Sequence, residues 1–295
     1  MSDNIYGAKL RLVALDMDGT ALKSDGQVSP GTIEALKEWI KEGGLVVPAS
    51  GRTYGWIPEK ILGLGVPYVI SGNGASVIDT ETGEYMYESR IKLKEGIDLL
   101  DYLLTENGQC YFQQRDQYYE DGNRSEEMEK KHPYMASAGF SRKGKPKNLL
   151  EFLKGKGEDI QKIGFMAFDE DTEKRVLACG RHFPDFCILR TGRMCLEFNR
   201  KGTSKGEALK YLCHSIGIKQ EQVMAIGDSE NDVEMLACAG IGVAMGNAPA
   251  EVKKAADIVT KTNDEEGVAW ILRRILRRSQ GIKDDVAEKE YNGKP

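Results

Sequence analysis

The feature that most constrains the fold is a short apolar run at 10–15 (LRLVAL) that stops abruptly at Asp16-Met17-Asp18. A nearly unbroken apolar run of that length reads as a strand buried on both faces, the setting of a parallel sheet. Ser29-Pro30 then supplies an N-cap and a first-turn proline, Ile33, Leu36 and Ile40 recur at helical spacing, and Gly43-Gly44 closes the helix. A second strand at 45–47 stops at Ser50-Gly51-Arg52, and a third at 68–70 stops at Gly72-Asn73-Gly74. Pro48 suits only the strand's end or an unpaired position, because it has no N–H to give a ladder.

The rhythm returns late. Helices are expected at 206–216, 230–238, 250–256 and 266–278, alternating with strands at 223–226, 241–244 and 258–259. Right-handed strand–helix–strand crossovers of this kind imply an α/β fold, a doubly wound parallel-sheet, Rossmann-like core. About 100 residues between the halves suffice for a domain of their own. There Ile97, Leu100 and Leu104 have helical spacing, 163–168 is strand-like, and 186–190 and 194–198 flank a Thr191-Gly192 turn as a hairpin. The expected organisation is a first core half at 1–82, an inserted α+β cap domain at 83–190, a second core half at 191–280 and a flexible tail at 281–295.

Composition narrows the function. The 295 residues carry 41 Lys+Arg against 46 Asp+Glu, a net charge of −5, which argues against nucleic acid as the main partner. No run approaches the roughly 18 apolar residues of a membrane span, and the first residues lack a secretory layout. The six cysteines have no close pair, as expected of small core side chains in a reducing compartment, so the cytoplasm is the expected location. In the last helix, Val268, Ile271, Leu272, Ile275 and Leu276 form a stripe opposite Arg273, Arg274, Arg277 and Arg278. That pattern fits a core-packing helix with solvated arginines better than one lying on a membrane.

The acidic residues fall at strand ends. If the backbone stays extended, Asp16 and Asp18 point to one face at the sheet's carboxyl edge, where open α/β sheets bind ligands. Two like charges about 4 Å apart repel by around 4 kcal/mol at an effective dielectric of 20, so such a site must hold a proton or a cation. Gly227-Asp228-Ser229-Glu230-Asn231-Asp232 follows the strand at 223–226 in the same way, and a helix starting near Ser229 lets Asp232 face the cleft with Asp228. An oxygen-rich cage of this kind suits Mg²⁺, which needs few protein ligands. A calcium loop fails, since its sixth position is Ala21 and its twelfth Gln27.

Ser50-Gly51-Arg52 offers a hydroxyl, a backbone N–H and a guanidinium as an anion cradle, although the same residues also make an ordinary Ser/Gly turn. Lys205 begins a helix, where a cation opposes the dipole and needs a nearby anion. A nucleotide P-loop is absent.

Asp16-Met-Asp18-Gly-Thr20, Ser50-Gly-Arg52, Lys205-Gly and Gly227-Asp228-x-x-Asn231-Asp232, in that order, resemble the four motifs of the haloacid dehalogenase superfamily. More narrowly, the chain resembles the Cof-type phosphatases, whose large α/β cap lies between the second and third motifs. Gly72-Asn73-Gly74-Ala75, Met245-Gly246-Asn247-Ala248 and the stretch 263–269 also match that branch. Ser50 replaces the Thr of many relatives and keeps the hydroxyl.

The resemblance implies that Asp16 is the nucleophile, forming an aspartyl-phosphate, and that Asp18 is general acid and then base, with Thr20 holding Asp18. It implies that Mg²⁺ takes Asp16, the backbone carbonyl of Asp18, Asp228 and, directly or through water, Asp232. Ser50, Gly51, Lys205 and Asn231 would hold the phosphoryl oxygens, and the cap would close over the site and choose the leaving group. Arg52, Asn73 and Arg193 are candidate substrate contacts, and the basic stretch 142–147 reads as a steering patch or a solvated loop. His132, His182 and His214 lie away from the motifs, so no hydroxyl has an activating base. The expected function is a Mg²⁺-dependent phosphomonoester hydrolase acting on small phosphorylated metabolites, sugar phosphates foremost, as a monomer or homodimer. The alternatives are a phosphomutase and a noncatalytic phosphometabolite-binding protein.

Overall fold

The computed structural model describes residues 10–115, 117–131 and 144–279. Among the described residues the strands are β1 (Leu12–Leu15), β2 (Leu45–Pro48), β3 (Tyr68–Ser71), β4 (Ser76–Asp79), β5 (Tyr85–Glu88), β6 (Gly108–Gln114), β7 (Gln117–Glu120), β8 (Lys162–Ala167), β9 (Phe186–Gly192), β10 (Cys195–Arg200), β11 (Val223–Gly227), β12 (Ile241–Ala244) and β13 (Ile258–Val259). The chain divides into two compact units: a core of residues up to Gly51, Ile57–Tyr87 and Ser204 onward, and a unit of Arg52–Trp56 and Glu88–Thr203.

The core sheet has the order β13-β12-β11-β1-β2. All its ladders are parallel, with Leu12 opposite both Val223 and Leu45, and Leu15 opposite both Ile226 and Pro48. Every residue of β1 is fully buried. Leu12 and Ala14 pack with Ala208, Leu209, Leu212, Met235 and Leu236 from helices Lys205–Ser215 and Val233–Cys238. By alternation, Val13 and Leu15 face the opposite side. From β1 the chain moves to β2 on one side, and it later returns through β11 on the other. The crevice at the carboxyl ends of β1 and β11 is therefore the topological switch point.

Helix Pro30–Lys41 starts as its sequence dictates, with the Ser29 side chain accepting from the Thr32 N–H at 3.0 Å. It packs against the final helix, Gly267–Ser279. That helix buries the expected apolar stripe, but Arg274 is buried as well, its guanidinium 5.0 Å from the Trp270 ring centre, and is not solvated as the pattern suggested.

The strand expected at 68–70 does not extend the parallel sheet. β3 heads an antiparallel sheet ordered β3-β4-β5 and meets the core sheet through the single bridge Ala49–Ile70. Pro48 explains the gap. Leu45 and Ala49 give their N–H groups to β1 (Arg11 and Leu15 carbonyls, 2.8 Å each), so residues 46, 48 and 50 face outward. Pro48 has no proton to offer there, and pairing begins only at Ser50, whose N–H reaches the Ile70 carbonyl at 2.9 Å.

In the second unit the strands run β7-β6-β8-β10-β9, all antiparallel. Phe112, Ile163, Phe165, Leu196 and Phe198 pack on one face with Leu99, Leu103, Leu153 and Val176 from the unit's helices. The expected seam at 190/191 would cut the β9–β10 hairpin; contacts keep the hairpin whole in this unit, which runs to Thr203 and starts at Glu88 rather than 83. The expected tail at 281–295, His132 and positions 142–143 lie outside the described residues. Lys145, from the basic stretch, pairs with the buried Glu120 at 3.2 Å.

Candidate active site

Asp16 follows β1 and extends its ladder by one residue, its N–H donating to the Ile226 carbonyl at 3.0 Å. The chain then turns. The Ala21 N–H closes onto the Asp16 carbonyl (3.2 Å) and the Leu22 N–H onto that of Met17 (2.8 Å), a wide turn in which Gly19 has φ +76°. Because the turn begins at Met17, the extended-strand argument for a shared face fails: Asp16 is buried and Asp18 is exposed. The acidic group consists of Asp16, Asp228 and Asp232, each offering a carboxylate oxygen within 4.8 Å of the others. The Asp18 carboxylate is outside it.

Lys205, completely buried at the first turn of its helix, has the anions its position demanded. Its Nζ lies 2.6 Å from Asp16 Oδ1 and 2.6 Å from Asp232 Oδ1. The helix itself is capped by Ser204, whose Oγ accepts from the Glu207 N–H. Asp232 Oδ2 accepts from the Asp228 and Ser229 N–H groups at 3.0 and 2.9 Å, so both its oxygens are engaged. Asp228 Oδ1 accepts from Thr20 Oγ1 at 2.9 Å; Thr20 thus holds Asp228, where the motif suggested Asp18. Asp16 Oδ2 is buried with no hydrogen-bond partner.

The charges are out of balance. Burial first, then the Asp232 charge, push the Asp16 carboxyl well above the usual range, and Lys205 only partly offsets this. Burial and Asp232 likewise raise Asp228 to about 6. Burial alone would lower the Lys205 pKa, but the two carboxylates beside it more than reverse that and hold it above normal. Three carboxylates share one lysine, and one buried oxygen lacks a partner. Such a hard, electron-rich set fits a divalent cation.

Ser50 and Gly51 leave β2, the strand beside β1, at the same sheet edge. Ser50 is buried, and its carbonyl accepts from the Asn73 N–H at 3.0 Å. Gly72, Asn73 and Gly74 all have positive φ (59°, 61° and 92°), and a Cβ on Gly74 would lie 2.1 Å from the Ser204 carbonyl oxygen. This loop therefore abuts the start of the Lys205 helix. Asn73 is fully buried, and its Oδ1 accepts from Asn231 Nδ2 at 3.1 Å, so it braces Asn231. Asn231 in turn leaves its buried Oδ1 without a partner, and its amide nitrogen has a second N–H beyond the one given to Asn73. Arg52 and Arg193 belong to the second unit: Arg52 Nη1 donates to the Trp56 carbonyl at 3.0 Å, and Arg193 is exposed at the β9–β10 turn.

A family model of haloacid dehalogenase-like hydrolases matches residues 13–272. The chain belongs to that family. The resemblance to the large-capped, Cof-type branch is borne out with it. Phosphatase YwpJ of Bacillus subtilis is 33% identical over 90% of this chain and 100% of its own. The 5-amino-6-(5-phospho-D-ribitylamino)uracil phosphatase YwtE of the same organism is 29% identical over 90% and 98%. Among solved structures, the HAD subclass IIB sugar phosphatase BT4131 superposes with a TM-score of 0.77 at 27% identity, over 90% of this chain and 98% of that one. The protein is a phosphatase. No helix among the described residues is long and apolar enough to cross a membrane.

Two pairings of this haloacid dehalogenase-like core escaped the sequence reading. The partner of Thr20 lies 208 positions away, beyond any local signal. Asn73 as a brace was signalled, in hindsight, by an Asn between two glycines, a pattern that favours left-handed backbone.

Proposed function

We propose that the chain is a Mg²⁺-dependent phosphomonoester hydrolase that removes phosphate from small phosphorylated metabolites, sugar phosphates foremost, through an aspartyl-phosphate on Asp16. The convergence of Asp16, Asp228, Asp232 and Lys205 at the switch point carries this reading. Relatives named for a ribityl-phosphate compound and for sugar phosphates support the substrate class.

Asp16 and Asp228 would hold the ion, with the Asp18 backbone carbonyl, while Asp232 contributes directly or through water. When bound, the ion neutralises charge on the phosphoryl group and lets an anionic nucleophile approach it. Lys205 fixes Asp16 Oδ1, leaving Oδ2 to the ligand. An Asp16 oxygen attacks phosphorus, the P–O bond to the leaving group breaks, and Asp18 gives that oxygen its proton. Asp18 then takes a proton from water as the water oxygen attacks phosphorus, which releases inorganic phosphate and restores Asp16. Ser50, Gly51 and Lys205 bind phosphoryl oxygens, so most of the acceleration comes from positioning and charge neutralisation. The free cysteines, four of them buried, suit the reducing cytoplasm.

The test is phosphate release from a panel of sugar and polyol monophosphates, with Mg²⁺ or with EDTA. Asp16→Asn is expected to abolish turnover and phosphoenzyme formation in a chain that still folds, and Asp18→Asn to slow phosphoenzyme breakdown in rapid-quench experiments. Full turnover by Asp16→Asn would overturn the mechanism. Isomerised monophosphate without phosphate release would identify a mutase.

A further inference from the structure

The motif Met245-Gly246-Asn247 follows β12 and has no part in the mechanism above, yet its asparagine touches the acidic cluster. Asn247 Nδ2 donates to the Gly19 carbonyl at 2.9 Å and reaches Asp228 Oδ2 at 3.4 Å. Its Oδ1 accepts from the Asn263 N–H at 3.0 Å. Asn263 Nδ2 donates to the Leu22 carbonyl at 2.9 Å, and Asp264 accepts from the Ser24 N–H and Oγ at 2.9 and 2.6 Å. The turn that carries Asp18, and the small hairpin closed by the Leu22–Val28 bridge after it, are thereby tied to the loops following β12 and β13. Asp228 is held at both oxygens, by Thr20 on one and Asn247 on the other. The fit beneath is tight: a Cβ on Gly19 would lie 2.4 Å from Asp228 Oδ2.

We propose that Asn247 is a positioning residue of the phosphatase reaction. One planar amide fixes the Gly19 peptide to the Asp228 carboxylate, and so sets the Asp18 turn in register with the group that would hold the cation. The inference rests on the reading of Asp18 and Asp228 given above. Only an amide suits the place, because asparagine both donates and accepts, aspartate only accepts, and alanine does neither. Asn247 is exposed, so its bonds contribute geometry more than stability, and a misplacement of about 1 Å at reacting groups costs up to ~100-fold in rate.

The experiment compares the full chain with N247A and N247D, using p-nitrophenyl phosphate with Mg²⁺, thermal melting, and a manganous-ion titration followed by electron paramagnetic resonance without substrate. In both variants kcat is expected to fall about tenfold with KM within about twofold, while melting moves by only a few degrees. Manganese binding is expected to weaken about fivefold in N247A, as one hydrogen bond to a ligand carboxylate is lost. N247D keeps the acceptor for the Asn263 N–H. Recovery of wild-type kcat in N247D, or unchanged kcat and manganese affinity in N247A, would overturn the proposal and leave Asn247 as a builder of its loop. A wild-type chain that hydrolyses the ester but takes up no manganese would overturn the cation reading instead, and kcat in N247A and N247D would still decide the positioning role.

Discussion

Replacing Lys205 with methionine removes one charge and keeps the side chain's length, so it isolates what that charge does. Nζ lies 2.6 Å from both Asp16 and Asp232. At an effective dielectric of 20, each attraction is about 6 kcal/mol, most of it consumed by taking the ammonium and carboxylates out of water. Deleting one partner of such a buried group costs about 3–5 kcal/mol, because the remaining charges stay buried and uncompensated. The deficit must also depend on pH. Asp16 already titrates well above the usual carboxylate range, and Lys205 is what restrains it, so the variant raises it further. An acid whose pKa is raised on folding stabilises the native state fully below its unfolded value, and that contribution is lost as pH rises through the folded value. K205M is therefore expected to unfold about 3–5 kcal/mol more easily than wild type at pH 8 in EDTA, and with less than about half that deficit near pH 4. Urea denaturation followed by tryptophan fluorescence reads this out, since Trp39 and Trp270 both lie in the core unit. A difference below about 1 kcal/mol at pH 8, or a deficit independent of pH, would refute the charge argument.

The wild-type fold should become less stable in EDTA as pH rises from 3.8 through about 6, because the Asp228 carboxyl is raised across that window. Mg²⁺ bound as proposed, by the deprotonated carboxylates, should raise the melting temperature more at pH 8 than at pH 5; the reverse order would contradict that placement. Gly74→Ala puts a Cβ 2.1 Å from the Ser204 carbonyl oxygen at φ +92°, and is expected to cost about 3 kcal/mol or more and to depress activity by displacing Lys205. Gly65→Ala, at φ +76° with open space around it, is the control and should cost only about 1–2 kcal/mol in thermal melts; equal losses in the two variants would remove the packing argument.

What the sequence made legible was whatever depends on period and on single-residue chemistry. β1 and β11 announce themselves because strands buried on both faces must be apolar throughout, and their acidic ends follow directly. Lys205 at a helix start was legible as a cation in need of anions, though not which anions. Neighbours within the chain were harder. The run at 68–70 has the same composition whether its partner is parallel or antiparallel, and the outward-facing nitrogen of Pro48 became decisive only once the direction of β2's bonds was known. Asp18 parted from Asp16 because the backbone turns at Met17; Gly19, at positive φ, was the signal that the strand had ended. Arg274 shows the limit of helical patterning, which sets the side of a helix but not the packing of a long stem against Trp270. The seam at Thr203 was hidden because a hairpin's turn looks the same at a domain's edge as inside it.

The site is costly to the fold for the same reason that it can work. Asp16, Asp228 and Asp232 outnumber the one lysine among them, and the protein's own means of relief is to protonate Asp16 or Asp228. A proton on Asp16 would remove the nucleophile proposed above, and a phosphate ester entering the unrelieved cluster would add negative charge where there is already an excess. A cation would relieve the repulsion without consuming the carboxylate proposed to attack. Thr20, Asn247 and the backbone N–H groups of Asp228 and Ser229 contribute in a different way. Being neutral, they cannot cancel the excess, but they fix Asp228 and Asp232 in place, so that the charge is concentrated where a cation and a phosphoryl group can use it.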